Sequence, residues 1–140
     1  MKRIQLNNTD LSVSPICLGT VSFGTSVDSK TAKHQLDSFF KLGGNFIDTA
    51  HVYGDWVPGI KGRSERVIGE WLNESGIRSD IVISTKGGHP DLSDMDLSMV
   101  TPEKVKKDLD ESLEYLNTNY IDLYFLHRDN PNIPAEEFLV

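Results

Sequence analysis

The stretch of sequence that decides the fold is GGNFIDTAHVYG, residues 43–54. Paired glycines are typical of the end of a helix, and the short apolar run behind them predicts a strand over 45–48. Asp48 closes this strand, and the following loop carries Tyr53. The stretch therefore predicts a helix-to-strand junction with polar side chains at the carboxyl end of the strand.

Apolar runs and amphipathic stretches alternate on both sides of this junction. The predicted elements are a hairpin over 1–14, strands over 16–19, 45–48, 80–86 and 120–127, and helices that begin at Ser29 (as N-cap), Ser64, Thr101 (as N-cap) and Pro134. The third helix is expected to bury Val105, Leu109, Leu113 and Leu116.

Four strand–helix alternations indicate an α/β protein with a parallel sheet and right-handed crossovers. A doubly wound sheet and a (β/α) barrel both satisfy this pattern. The turn after the first strand, residues 19–24, lacks the G-x-G-x-x-G of dinucleotide-binding doubly wound folds, so nothing in it supports the first architecture.

Ionisable and phenolic side chains follow three successive predicted strands. Asp48 ends the second strand, Lys86 the third and His127 the fourth, while Tyr53 lies in the loop after Asp48. In a parallel barrel the carboxyl ends of all strands share one face, and active sites are built there. We therefore expect these four side chains to converge at one mouth.

These residue types complement one another for acid–base chemistry. A free tyrosine has a pKa of about 10, an adjacent ammonium favours the phenolate, and a carboxylate keeps that ammonium charged and in place. A histidine beside them can donate a hydrogen bond to a substrate oxygen. Such a set suits protonation of an oxygen while hydride arrives at carbon. No H-x-H or C-x-x-C spacing occurs, so no metal site is predicted.

The composition argues against several classes of function. Lys and Arg number 14 against 21 Asp and Glu, which gives a formal net charge of −7 and opposes electrostatic binding to nucleic acid or to an anionic membrane. The basic amino terminus has no apolar segment behind it, unlike a signal peptide, and the single cysteine, Cys17, suits a reducing compartment. A cytoplasmic protein with neither of those partners is expected.

Five segments, in order along the chain, resemble the aldo-keto reductase family. They are ICLGT (16–20), GGNFIDTAHVYG (43–54), GRSERVIG (62–69, the G-x-S-E-x-x-x-G helix start), ISTK (83–86) and YIDLYFLH (120–127). The resemblance covers essentially the whole chain. It implies a (β/α)8 TIM-barrel fold and NAD(P)H-dependent reduction of an aldehyde or ketone to an alcohol, with NADP(H) favoured over NAD(H).

The resemblance also implies a role for each candidate site residue. Tyr53 is the expected proton donor, Lys86 and Asp48 tune its acidity, and His127 orients the carbonyl group. Cofactor contacts are expected from Gly19, Thr20, Val21 and Asp48. Substrate contacts are expected from His127, Phe23 and Trp56. The segment 56–61 lengthens the usual gap before the helix start, and Arg128 directly follows the histidine; both departures border the expected pocket.

The length of the chain suggests how much of the barrel is present. A complete barrel needs about 250 residues, so 140 residues are expected to form the N-terminal half: the hairpin lid (1–14) and the first four β/α units (15–140), ending within the fourth helix. The later strands of the family supply the remaining cofactor contacts. The second hypothesis is therefore a catalytically incomplete half-barrel, or a binding or scaffold protein such as the potassium-channel auxiliary subunits of this family. Open barrel edges are expected to favour self-association.

Overall fold

A computed structural model describes residues 1–139, and within them the chain forms strands, three α-helices and short 3-10 turns. The strands are β1 (Ile4–Gln5), β2 (Ser12–Val13), β3 (Cys17–Gly19), β4 (Phe46–Asp48), β5 (Val82–Gly87) and β6 (Leu123–Leu126). The helices are α1 (Ser29–Lys41), α2 (Arg63–Ser75) and α3 (Pro102–Tyr115), and the 3-10 turns are Arg78–Asp80, Leu97–Met99 and Ala135–Phe138.

The four central strands form one parallel sheet in the order β3-β4-β5-β6. The register pairs Gly19 with Asp48 and Asp48 with Ser84, and it pairs Lys86 with Phe125. The carboxyl ends of the strands are therefore level with one another. With helices connecting successive strands, the chain is an α/β partial barrel, and the predicted fold class is confirmed.

The predicted hairpin is present as the antiparallel pair β1–β2. Asn45, which directly precedes β4, holds it: its side chain accepts a hydrogen bond from Ser14 N at 2.7 Å and donates one to Ser12 O at 3.0 Å. The hairpin thus packs at the amino ends of the strands, at the opposite end of β4 from Asp48.

The N-cap of α1 differs from the prediction. Asp28, not Ser29, caps this helix, because its Oδ1 accepts a hydrogen bond from Thr31 N at 2.9 Å, and Ser29 becomes the first helical residue. The remaining helix starts agree more closely: α2 begins one residue before Ser64, and Thr101 caps α3 with Pro102 at its first position.

The buried face of α3 also differs from the prediction. Val105 and Leu116 are buried, but Leu109 and Leu113 are only partly buried, and Asp108 and Ser112 lie inside in their place. The physical reason is a hydrogen bond: the Asp108 carboxylate accepts from Gly88 N at 2.8 Å, directly behind β5. This bond turns a polar stripe of the helix toward the sheet.

The core lies between the sheet and its helices. Its buried members are Phe23, Ala32, Leu36, Ile47, Val67, Ile68, Trp71, Leu72, Ile81, Ile83 and Leu116. The segment behind Pro134 is a single 3-10 turn, Ala135–Phe138, where a fourth helix was predicted. Among the described residues, no helix is both long and apolar enough to cross a membrane.

Candidate active site

Asp48 and Lys86 form an ion pair at the carboxyl end of the sheet. Lys86 Nζ donates to both carboxylate oxygens of Asp48 at 2.8 Å and to Thr49 O at 2.6 Å. Ser84 Oγ also donates to Asp48, at 3.0 Å. Because Ser84 and Lys86 alternate with Thr85 along β5, both point to the inner face of the sheet. The lysine is therefore held as a cation in a fixed position.

Tyr53 lies beside this ion pair. Its Oη is 3.4 Å from Lys86 Nζ, and the ammonium is 5.0 Å from the centre of its ring. The loop that carries Tyr53 is pinned to β5, since His51 N donates to Lys86 O at 3.0 Å. The structure thus brings three of the four predicted residues into direct contact.

His127 completes the group at the end of β6. Its ring lies 6.0 Å from the Tyr53 ring, edge on, and 4.8 Å from the ring of His89. Its backbone N donates to Gly87 O at 2.7 Å, which ties it to β5. Nδ1 is buried, and within residues 1–139 no side chain or backbone group bonds to it.

The environment of His127 keeps its ring neutral. Burial lowers its pKa to about 4, and the charges of His89, Lys86 and Arg128 act in the same direction. At neutral pH the imidazole therefore carries a single N–H. Since Nδ1 has no partner, the ring can carry that proton on Nε2, and the Nε2–H group can then donate a hydrogen bond to a ligand.

Two of the four predicted cofactor residues line one concave surface. Gly19 and Asp48 line a recess of about 450 Å³ on the inner face of the sheet, together with Lys86. Gly19 is exposed, and a Cβ there would meet no atom within 4 Å, so the backbone is open to a ligand. Val21 is half exposed. Thr20 is fully buried, and its hydroxyl is committed to Asp48 O at 2.9 Å.

Of the predicted pocket walls, the structure places Trp56 at the surface and Phe23 in the core. Phe23 is 2% exposed and packs in the core with Leu36 and Ile47, so its assignment to the substrate pocket is wrong. The turn after β3 directs it inward: Phe23 N donates to Thr20 O at 3.0 Å. Trp56 is half exposed and lines a separate surface cleft of about 510 Å³.

Comparison with known proteins decides the family. The model of the aldo/keto reductase family matches residues 15–139. The chain belongs to the aldo/keto reductase family.

Individual relatives agree with this assignment. A norsolorinic acid reductase of Aspergillus flavus is 35% identical over 98% of this chain and 37% of its own length. A protein of Arabidopsis thaliana described as a probable voltage-gated potassium channel subunit beta is 36% identical over 98% of this chain and 40% of its own length. The structure of a Bacillus halodurans aldo-keto reductase in its holo form superposes with a TM-score of 0.79 at 33% identity, over 99% of this chain and 44% of that one. The chain therefore spans about two fifths of the length of these relatives.

Several residues at this candidate site were not predicted individually. Ser84 bonds to Asp48, and Ser64 and Glu65 bond to threonines beside the site. The sequence carried a signal for the last two, because they belong to the GRSERVIG helix start. Ser84 belongs to the ISTK segment in the same way, but a serine within a strand is common and nothing in the sequence indicated its bond to Asp48.

His51 lies outside this candidate site, in a polar group with Asp108 and Glu111. Its Nε2 is 2.7 Å from Glu111 Oε2, and its Nδ1 is 3.8 Å from Asp108 Oδ1. Lys104 Nζ already lies 3.2 Å from Asp108 and supplies a positive charge there. The prediction that this protein uses no metal stays a prediction.

Proposed function

We propose that this protein reduces an aldehyde or ketone to an alcohol with NAD(P)H as the hydride source. The observation that carries the proposal is the position of Lys86 Nζ, which contacts both oxygens of Asp48 and lies 3.4 Å from Tyr53 Oη. A phenol next to a fixed ammonium is a suitable proton donor to an oxygen that gains negative charge. His127, kept neutral, supports this as a hydrogen-bond donor to the same oxygen.

Each of the four side chains has a defined part in the proposed reaction. Bound NAD(P)H would supply the hydride to the carbonyl carbon. Tyr53 Oη gives its proton to the carbonyl oxygen, and Lys86 Nζ stabilises the phenolate that this transfer leaves behind. Asp48 holds Lys86 in place through two hydrogen bonds of 2.8 Å. His127 holds the carbonyl oxygen near Tyr53.

The recess on the inner face of the sheet fits the nicotinamide end of such a cofactor. Gly19 leaves open the space that a Cβ would fill, and Asp48 lies opposite it in the register. We assign Gly19, Thr20, Val21 and Asp48 to this end; Thr20 is fully buried, and its part is to hold the turn behind Gly19 through its bonds to Asp48 O. NADP(H) is the proposed form, and turnover with NADPH and with NADH compares the two directly.

The proposed substrate is a small carbonyl compound that meets His127. Trp56 remains a proposed contact, since its half-exposed indole is available to a ligand. Phe23 is not included. The single cysteine does not offer a competing nucleophile, because partial desolvation of its thiol and the charge of Asp48 raise the pKa of Cys17 to about 11 and keep the thiol protonated.

Replacing the ammonium tests the proposal. Lys86→Met keeps the length of the side chain but removes its charge, and we expect it to lower kcat for a panel of aldehydes about 100-fold or more. The assay is the loss of NADPH absorbance at saturating aldehyde. Lys106→Met, at an exposed lysine on α3, is the matched control and should keep the wild-type rate. An unchanged kcat in Lys86→Met would refute the role of the ion pair.

A binding or scaffold role is the second candidate. The chain spans 40% of the plant channel-subunit relative at 36% identity, and it supplies four parallel strands. In this proposal residues 1–14 and 15–140 form the hairpin and the first four units of the barrel, and the chain has little affinity for the cofactor. A fluorescence titration with NADPH separates the candidates: binding at micromolar concentration favours the reductase, and its absence favours the binding protein.

We further propose that the chain associates through the edges of its sheet, in the cytoplasm. β3 and β6 lie at the two edges of the four-stranded sheet, and apolar side chains are exposed beside them, Ile16 at 59% and Phe125 at 50%. Unpaired strand edges and apolar surface favour association. Sedimentation should give a mass above 15.7 kDa that rises with concentration, whereas a stable monomer would contradict the proposal. The single cysteine supports a reducing compartment.

A further inference from the structure

The first turn of α2 carries two side chains that do not serve their own helix. Ser and Glu near a helix start commonly bond to its free backbone N–H groups. Here the N-cap is Gly62, which has no side chain to offer, and Gly62 N donates to Asp55 instead, at 2.9 Å. Ser64 and Glu65 are both fully buried. Their side chains are turned toward the sheet.

The hydroxyl of Ser64 joins the ends of β3 and β4. Thr20 Oγ1 donates its proton to Asp48 O, at 2.9 Å. Ser64 Oγ lies 2.8 Å from Thr20 Oγ1 and 2.9 Å from Thr20 O, and 3.0 Å from Thr49 Oγ1. A hydroxyl has one proton to donate, so Thr49 donates to Ser64 and Ser64 donates to Thr20. The chain of hydrogen bonds therefore runs in one direction and ends at the backbone of Asp48.

The carboxyl group of Glu65 fixes β5 in the same way. Thr85 Oγ1 donates to Glu65 Oε1 at 2.6 Å. Thr85 points away from the inner face, while its two neighbours, Ser84 and Lys86, point inward and both bond to Asp48. The bond from Thr85 to Glu65 therefore also fixes its two neighbours, Ser84 and Lys86, which both donate to Asp48.

The backbone of the same turn reaches the tyrosine. Ser64 N donates to Tyr53 O at 3.3 Å. One helical turn therefore touches the backbone of Tyr53, both threonines that flank the ends of β3 and β4, and the threonine that precedes Lys86. His127 is held separately, through Gly87 O.

We propose that Ser64 and Glu65 are positioning residues, which set the relative places of Asp48, Tyr53 and Lys86 without touching substrate or cofactor. The inference rests on the proposed reductase function for its kinetic consequence, but its geometric consequence is independent of it. Loss of the bond between Thr49 and Ser64, or of the bond between Thr85 and Glu65, should move the Tyr53 phenol relative to the Lys86 ammonium. Displacements of this kind lower catalysis without a comparable effect on binding.

Isosteric changes at Thr49 and Thr85, which bond to Ser64 and Glu65, test the proposal in the full chain. Thr49→Val and Thr85→Val remove one hydroxyl each and keep the side-chain shape, while Thr85→Ser restores the hydroxyl. With ¹³Cζ-labelled tyrosine the chain has four labelled tyrosines, and Tyr53→Phe identifies the resonance of Tyr53. Both valine variants should shift this resonance and lower kcat about tenfold with KM within about twofold, and Thr85→Ser should restore both quantities.

The matched control is Ser14→Ala, at a buried serine whose hydroxyl bonds to Ile16 O and Asn45 N at the far end of the sheet. It should leave the Tyr53 resonance in place whatever it does to stability. A wild-type resonance in the folded valine variants, or a Thr85→Ser variant that behaves like Thr85→Val, would overturn the inference. If one valine variant does not fold, the other decides. If the wild-type chain has no turnover, the proposed function fails while the resonance still decides the positioning role.

Discussion

At the scale of single residues, the distribution of charge in the site is asymmetric. Lys86 is the cation, compensated by Asp48 at 2.8 Å, whereas His127 is neutral because burial and neighbouring charges lower its pKa to about 4. A second cation at His127 would lie close to Lys86 and would compete for Asp48. A neutral imidazole instead offers one directed N–H to an oxygen.

Glu65 gives a residue-scale prediction for the dependence of stability on pH. Burial raises its pKa to about 7 from an ordinary value of 4.5, so between these values the folded state holds a proton that the unfolded state releases. Stability from this group is therefore present below about pH 4.5 and is lost as the pH rises through 7, by about 3 kcal/mol in total. Glu65→Gln, which cannot ionise, should gain that amount relative to wild type between pH 4.5 and 8. Urea unfolding at both values measures it, and a constant difference between the two proteins would contradict the buried carboxylic acid.

The sequence could predict the residues that meet at the site, because parallel strands bring their carboxyl ends level. Asp48, Lys86 and His127 end neighbouring strands, and the register places them together. It could not predict the direction of Phe23. That direction depends on a turn closed by Phe23 N and Thr20 O, and an aromatic residue after a strand suits a pocket and a core equally well.

At the scale of elements, α2 has two contacts that restrict its side chains. One is the set of hydrogen bonds that join Ser64 and Glu65 to the strand ends. The other is a close approach to α3 at Gly69. A Cβ on Gly69 would overlap Tyr115 O and come within 2.8 Å of the Leu116 carbonyl carbon. Backbone atoms cannot move aside as side chains can. The glycine is therefore required by helix packing, although it weakens an isolated helix by about 1 kcal/mol relative to alanine.

Gly69→Ala should therefore destabilise the protein despite the better helix propensity of alanine. We expect the free energy of unfolding to fall by about 1–3 kcal/mol, the usual cost of overpacking. Glu70→Ala, at the next and exposed position of α2, is the control and should change it by less than about 1 kcal/mol. Urea unfolding compares the three proteins. A Gly69→Ala variant as stable as wild type would mean that α2 and α3 do not approach as closely as described.

The elements themselves were predictable where periodicity and capping residues agree, as for α2 and the Thr101 cap of α3. The prediction failed where a polar contact overrode an apolar pattern. Asp108 is buried because Gly88 N needs an acceptor behind β5, and that requirement turns Leu109 and Leu113 to the side of α3. The hydropathy pattern of α3 does not show that Gly88 N will bond to Asp108.

At the scale of the whole molecule, four parallel strands bring Asp48, Tyr53, Lys86 and His127 together but leave the inner face of the sheet open. Phe125 and Cys17 are exposed there, on the recess that also holds Gly19 and Lys86. A complete barrel would cover this face with strands from other units. Within the described residues, the proposed cofactor recess is therefore open on this face of the sheet.

The most direct test of the whole account is transfer of deuterium from 4-deuterated NADPH to an aldehyde in a single turnover. The wild-type chain should place deuterium on the alcohol carbon. Tyr53→Phe, which keeps the ring and removes the proton, should slow the transfer about 100-fold or more with NADPH affinity unchanged within about twofold. Transfer at the wild-type rate in Tyr53→Phe would contradict the account, because Tyr53 would then not be the proton donor.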